Sequence, residues 1–84
     1  SCALTDGSNP QTLINALSSG KLVVTLVGPG HFTTSGHFLV LRGVTPTGKI
    51  LVADCGNSAN NNIEWDMSII LEEGRPLFWI IGEQ

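Results

Sequence analysis

Residues 37–54 have the sequence HFLVLRGVTPTGKILVAD, and this stretch decides the fold. The runs His37–Val44 and Lys49–Asp54 are rich in β-branched and other apolar residues, which is typical of β-strands. Between them, Thr45-Pro46-Thr47-Gly48 has the composition of a tight turn. Because so short a connection joins antiparallel neighbours, we predict a β-hairpin.

Local signals on both sides of the hairpin predict the remaining elements. Asn9 as N-cap and Pro10 as the first helical residue mark a helix start, and Gly20 ends that helix. The other predicted elements are a strand over Lys21–Val27 buried on both faces, a loop to about Gly36, a solvated polar loop over Cys55–Asn62, a helix over Met67–Glu73 capped by Asp66 and closed by Gly74, and a strand over Leu77–Ile81. The sum is an α+β fold, an antiparallel sheet of about four strands with two short helices.

Length and composition limit the organisation and the partners. The chain has 84 residues, of which 42% are hydrophobic and 13% charged, so we expect residues 1–84 to form a single domain or part of one, with apolar surface that faces another segment or chain. The net charge of −3 with four basic residues argues against binding to nucleic acid or to an anionic membrane. No apolar run approaches the ~20 residues of a membrane span.

One histidine and one aspartate are predicted to meet at the end of the hairpin. His37 opens its first strand and Asp54 ends its second, so antiparallel pairing brings the carboxylate within reach of the imidazole. A carboxylate that fixes the orientation of an imidazole is what a catalytic histidine needs, and Gly36 leaves room for a substrate backbone. The same contact is also commonly structural, so spacing alone leaves both interpretations open.

The other residues with chemical potential point to ordinary roles. Cys2 and Cys55 permit one disulfide but are expected to be unlinked, and neither is placed well to act as a nucleophile for His37. His31 lies in the loop before His37, at a spacing that is not typical of a metal site, so no metal or other cofactor is predicted. Trp65 and Trp79 are expected to be core residues whose indole N–H groups need partners.

A family resemblance adds to this interpretation. The stretch GPGHFTTSGHFLVLRGVTPTGKILVAD, followed by EWDMSIILEE and FWII, resembles the C-terminal half of the bacteriocin-processing-type (double-glycine leader peptidase-like) family of papain-like cysteine peptidases. The preceding NPQTLINALSSGKLVVTLV resembles the lead-in of that half. The resemblance implies half of a papain-like fold, with His37 as the catalytic histidine and Asp54 as the aspartate that orients it. Because Gly36 precedes His37 and His31 lies in the loop before it, we expect both to line the cleft and to meet a peptide substrate.

Two departures from the family pattern matter. Cys55 stands where the family usually has a proline after the aspartate, which makes the following loop unusual. The family's nucleophilic cysteine begins a helix upstream of the lead-in, and nothing here corresponds to it. We therefore expect the isolated chain to be inactive, and its partners to be the N-terminal half of the same domain or further copies of itself.

Three functions remain open at this point, of which a self-contained peptidase with Cys2 or Cys55 as its nucleophile is the least favoured. The first is the His/Asp-bearing half of a thiol peptidase, which acts on peptides once another segment supplies the cysteine. The second is a non-catalytic module that keeps the fold and binds peptide or a surface partner. The resemblance implies secretion or display at the surface of a bacterium.

Overall fold

The structure, a computed structural model, describes residues 2–5 and 9–82; for residues 2, 3 and 75–77 it describes the backbone alone. The elements in chain order are β1 (Cys2–Thr5), α1 (Pro10–Ser18), β2 (Leu22–Val27), β3 (His37–Val44), β4 (Ile50–Ala53), a 3₁₀ helix (Ser58–Asn62), α2 (Met67–Glu73) and β5 (Gly74–Ile81). The α+β class and the two helices agree with the sequence prediction.

The strands form one antiparallel sheet of five strands in the order β1-β5-β2-β3-β4. The predicted number of about four was too low because β1 was not foreseen. This strand has four residues, and its pairing with β5 joins opposite ends of the chain, for example Leu4 with Trp79. The last strand also begins at Gly74, three residues before the predicted start at Leu77.

The predicted hairpin is present, with a shift in its register. The backbone N–H of Gly48 donates to the carbonyl oxygen of Thr45 at 2.9 Å, and Gly48 has a φ of 83°, a conformation that glycine adopts without strain. Val44 pairs with Ile50, and an irregularity follows between Leu41 and Gly43. The hairpin therefore closes as expected and carries the start of β3 to the end of β4.

Helix α1 begins where the local signals place it. The side chain of Asn9 accepts a hydrogen bond from the backbone N–H of Gln11 at 3.1 Å, and Pro10 is the first helical residue. After the helix, Gly20 has a φ of 89°, which ends the helix in a conformation that favours glycine. The apolar side of α1, including Leu13 and Leu17, packs into the core.

Both helices contribute to one core on a single face of the sheet. The core contains Leu13, Ala16 and Leu17 of α1, Ile70 of α2, and Val23, Val27, Leu39, Leu41, Ile50, Val52 and Phe78 of the sheet, together with Phe32 and Trp65. In β2, burial alternates along the strand, so the prediction that this strand is buried on both faces was wrong. The physical reason is that its alternate side chains project from the face that neither helix covers.

We call this second face of the sheet the open face. By strand alternation and pairing it consists of Leu4, Leu22, Val24, Leu26, Phe38, Val40, Leu51, Ala53, Trp79 and Ile81. Trp79, predicted as a core residue, lies here instead, with its ring 6.4 Å from that of Phe38. Within the described ranges, no helix has the length and apolar character to cross a membrane.

Candidate functional site

The site is built around Asp54, which is placed at the end of β4 on the face that the helices cover. Its side chain is fully buried, and both carboxylate oxygens accept hydrogen bonds. Oδ1 accepts from Nε2 of His37 at 2.8 Å, from the backbone N–H of Gly56 at 2.9 Å and from that of Asn57 at 3.2 Å. Oδ2 accepts from Nδ2 of Asn60 at 2.9 Å. A buried carboxylate is stable in its ionised form only when its oxygens are hydrogen-bonded, as those of Asp54 are.

The surroundings of Asp54 favour its ionised form. Burial raises the pKa of this carboxyl, but the hydrogen bonds from Asn60, His37, Gly56 and Asn57 together outweigh that effect and hold the pKa below its ordinary value. Asp54 is therefore a carboxylate at neutral pH. An ionised carboxylate only accepts hydrogen bonds, so Nε2 of His37 must carry a proton.

The imidazole of His37 is consequently prepared for one role. With the proton on Nε2, a neutral ring has its lone pair on Nδ1. The side chain of His37 is 23% exposed, and Asp54 is its only side-chain hydrogen-bond partner among the described residues. The ring can thus take up a proton at Nδ1 from a group that approaches from outside, while Asp54 stabilises the resulting imidazolium.

The loop from Asp54 to Asn62 positions the Asp54 carboxylate. This role of the loop was not predicted from the sequence. The prediction of a solvated loop was wrong for Asn60, which is 6% exposed and hydrogen-bonded to Asp54. Asn61 also contributes, since its Oδ1 accepts from the backbone N–H of Asp54 at 2.7 Å. Asn57 caps the 3₁₀ helix by accepting from the backbone N–H of Ala59 at 3.2 Å.

Trp65 supplied the signal that could have revealed this arrangement. Its ring is in the core, as predicted, and its indole N–H donates to the carbonyl oxygen of Asn60 at 3.1 Å. A buried indole needs an acceptor, and a loop rich in Asn with a capping Asn57 is a ready source of carbonyls held in a fixed turn. The need of the Trp65 indole for an acceptor could therefore have predicted that the Asn-rich loop folds back onto the core.

The two glycines beside His37 differ in what surrounds them. A Cβ added at Gly56 would lie 3.3 Å from Cε1 of His37 and 3.4 Å from Oδ1 of Asp54, so this residue closes one side of the ring. A Cβ at Gly36 would meet only the carbonyl oxygen of Val27, at 3.7 Å. The space on the Cβ side of the exposed Gly36 is therefore open.

His31 belongs to a neighbouring cluster and makes no hydrogen bond to His37. Its Nδ1 pairs with Oε2 of Glu73, and its backbone N–H donates to Oε1 of the same carboxylate at 2.6 Å. The carbonyl oxygen of Glu73 accepts from the backbone N–H of Gly28 at 2.8 Å, so Glu73 anchors the loop at two points. The ring of His31 stands edge-on to Trp65, with centroids 5.7 Å apart. Trp65 thus lies between this cluster and Asn60.

No described hydrogen bond joins a cysteine to the imidazole. Cys55 is a free, exposed thiol without a hydrogen bond to His37 in the described part of the chain, in agreement with the expectation of unlinked cysteines. Cys2 pairs with Ile81 in the outer strand, and its side chain lies outside the described residues. The backbone of Cys2 is three strand spacings from β3 and at the opposite end of the sheet, which amounts to about 20 Å.

The described residues contain neither a metal cluster nor an enclosed pocket beside His37. No group of three or more His, Cys, Asp or Glu side chains converges there. No cavity was found among the described residues either. Comparison of the chain with protein-family models, with curated proteins and with solved structures found no match.

Proposed function

We propose that this chain is the His/Asp-bearing half of a papain-like cysteine peptidase domain, in which another segment supplies the thiol. The observation that carries the proposal is the hydrogen bond between Nε2 of His37 and the buried Asp54 carboxylate, which leaves Nδ1 without a side-chain partner among the described residues. The sequence resemblance to the family supports it independently, because the same two residues match its histidine and aspartate. On the same grounds we propose that the chain forms half of a papain-like fold.

His37 acts in this proposal as the base for the thiol. Its Nδ1 takes the thiol proton, the thiolate attacks the carbonyl carbon of the peptide, and the imidazolium then returns the proton to the departing amine. Water hydrolyses the resulting thioester with the help of the same ring. Asp54 touches no substrate and keeps the ring in one tautomer and orientation.

The wall around His37 fits a peptide that lies over Gly36. The open space above this glycine admits an extended backbone, since only the Val27 carbonyl oxygen is near. His31 is 55% exposed and is fixed by Glu73, so its ring is available at the start of the same loop. We assign Gly36 and His31 to substrate binding.

The thiol has to come from elsewhere because the two resident cysteines are badly placed. Cys2 is on the far strand, and Cys55 follows Asp54 on an exposed turn. A thiol with a lowered pKa requires a helix N-terminus or a cationic neighbour. A helix that begins with cysteine and packs against the exposed side of His37 would complete the site.

The experiment expresses the 84-residue chain together with the sequence encoded upstream of it, and measures hydrolysis of peptide substrates. We expect turnover from the complete protein, and a loss of about 10²- to 10⁴-fold in kcat for His37→Ala. Asn62→Ala is the matched control, because this exposed side chain belongs to the same part of the fold and is outside the site. Absence of turnover from the complete protein, with no effect of alkylating its cysteines, would refute the proposal.

The second candidate is a non-catalytic module that binds peptide along the same wall. The observation in its favour is that no thiol adjoins His37 in the described part of the chain. Here His37→Ala would leave peptide binding nearly unchanged, and no variant would show turnover. Binding titrations with the same peptides separate this function from the first.

A further inference from the structure

The open face is an apolar surface that nothing in the described structure covers. Its most exposed side chains are Phe38 at 62%, Leu4 at 56%, Leu22 at 44% and Ile81 at 41%. We multiply these exposed fractions by the area of a large side chain, about 150–250 Å² for an aromatic one, and add the half-buried neighbours. The open face then presents on the order of 600 Å² of apolar surface. This is at the upper limit of what monomeric proteins expose.

The chemistry of the open face limits what could cover it. Every described side chain assigned to it is apolar; the side chain of Arg75 in β5 lies outside the described residues. Arg42, at the irregularity of β3, donates from Nε to the carbonyl oxygen of Val52 at 2.9 Å and from Nη2 to that of Asn61 at 3.0 Å, so it is engaged at the β4 edge. An anionic lipid surface needs clustered Lys and Arg, which this face does not offer. Among the described side chains of the open face, a partner with a charged surface would find no complementary group.

We propose that the open face binds the open face of a second copy of this chain, which forms a two-fold symmetric dimer. An uncharged surface is complementary to itself, which is what a two-fold interface requires. Two such faces in contact would bury about 1,200 Å² in total, the lower limit for stable and specific interfaces. The dimer is therefore expected to dissociate on dilution.

The open face combines large and short side chains, which suits the packing of one sheet on another. Phe38 is large and the most exposed, whereas Val24 and Val40, which pair across β2 and β3, are short and half-buried. Two sheets pack about 10 Å apart with interdigitating side chains, so Phe38 of each copy fits over the valines of the other. His37 projects from the opposite face of the sheet, so dimer formation does not depend on the proposed peptidase function.

Sedimentation velocity of the wild-type chain tests this proposal. The protein concentration should span roughly 5–500 μM, to cover the affinity expected of so small an interface. We expect the wild type to shift from monomer to dimer across this range. Phe38→Glu and Leu22→Glu, at opposite ends of the open face, are each expected to weaken the dimer about 100-fold or more, because two-fold symmetry introduces each charge twice into an apolar interface. Ile63→Glu is the matched control, since Ile63 is an exposed apolar residue on a loop, at 42%, and should leave the dimer intact.

Circular dichroism establishes that each variant is folded. A wild-type chain that remains monomeric at all concentrations would overturn the proposal, as would a dimer that persists in both face variants. Binding of the monomer to vesicles of neutral phosphatidylcholine, without dimer formation in solution, would replace the second copy by a lipid surface. His37→Ala separates this inference from the proposed function: the 84-residue variant should dimerise normally, whereas the same substitution in the protein with its upstream sequence should remove peptidase turnover.

Discussion

Replacement of Asn60 by alanine tests whether the Asn-rich loop holds the Asp54 carboxylate. The substitution removes the 2.9 Å hydrogen bond from Nδ2 to Oδ2 of a fully buried carboxylate. The bond from Trp65 is retained because it goes to the backbone carbonyl of residue 60. A hydrogen bond to a charged group contributes about 1.5–3 kcal/mol, so we expect Asn60→Ala to lower the free energy of unfolding by about 2 kcal/mol at pH 7.

A loss of this size is easily measured in a small domain. For 60–100 residues, 1 kcal/mol corresponds to about 4–8 °C in Tm, so Asn60→Ala should melt roughly 10–15 °C below the wild type. Urea unfolding followed by tryptophan fluorescence gives the free energy directly. Asn62→Ala is the control, because Asn62 is exposed in the same 3₁₀ helix, and it should change stability by less than about 0.5 kcal/mol.

The pH dependence makes the test specific to the carboxylate. The pKa of Asp54 is lowered in the folded protein, so its contribution is present above the unfolded-state pKa and is lost as the pH falls through the folded-state pKa. The difference between wild type and Asn60→Ala should therefore be largest near neutral pH and should narrow in acid. Equal losses for the two alanine variants, or a difference that does not change with pH, would refute this account of the loop.

Three further substitutions test other contacts. Gly56→Ala places a Cβ 3.3 Å from Cε1 of His37 and should displace the ring, which NMR would detect as a shift of the imidazole resonances; unchanged resonances would contradict the role of Gly56. Glu73→Gln weakens the anchor on His31 and should increase amide hydrogen exchange in residues 28–36 while the β3–β4 hairpin keeps its protection, whereas equal exchange in both regions would argue against a local anchor. Lys49→Met removes an exposed ion pair and should cost less than about 1 kcal/mol in urea unfolding, so a larger loss would show that this pair is more than a surface contact.

Local signals were sufficient for much of the fold. The Asn9–Pro10 start, the hairpin turn at Gly48 and the helix over Met67–Glu73 depend on neighbours in sequence, and the structure confirms all three. The hairpin alone brought His37 and Asp54 together. One detail of α2 differs, because Asp66 occupies the cap position without a side-chain capping hydrogen bond.

The sequence predictions that were wrong concern contacts between distant parts of the chain. A run such as β2 has the same composition whether one or both faces are covered, so the sequence could not show that both helices pack on one side. The short β1 is a strand only because β5 offers a free edge. Asn60 is polar and lies in a loop, and only its contacts with Asp54 and Trp65 make it a buried residue. The catalytic role of the His37–Asp54 pair stays a prediction.

The most direct test of the central claim is the protonation of the His37 ring, measured by ¹⁵N NMR on the 84-residue chain as a function of pH. We predict that the neutral ring carries its proton on Nε2, with Nδ1 free to accept one. We also predict that Asp54→Ala, which removes both carboxylate oxygens, abolishes this preference in the folded variant. A neutral ring protonated on Nδ1, or a tautomer that does not respond to Asp54→Ala, would contradict the claim that Asp54 prepares His37 to act as a base.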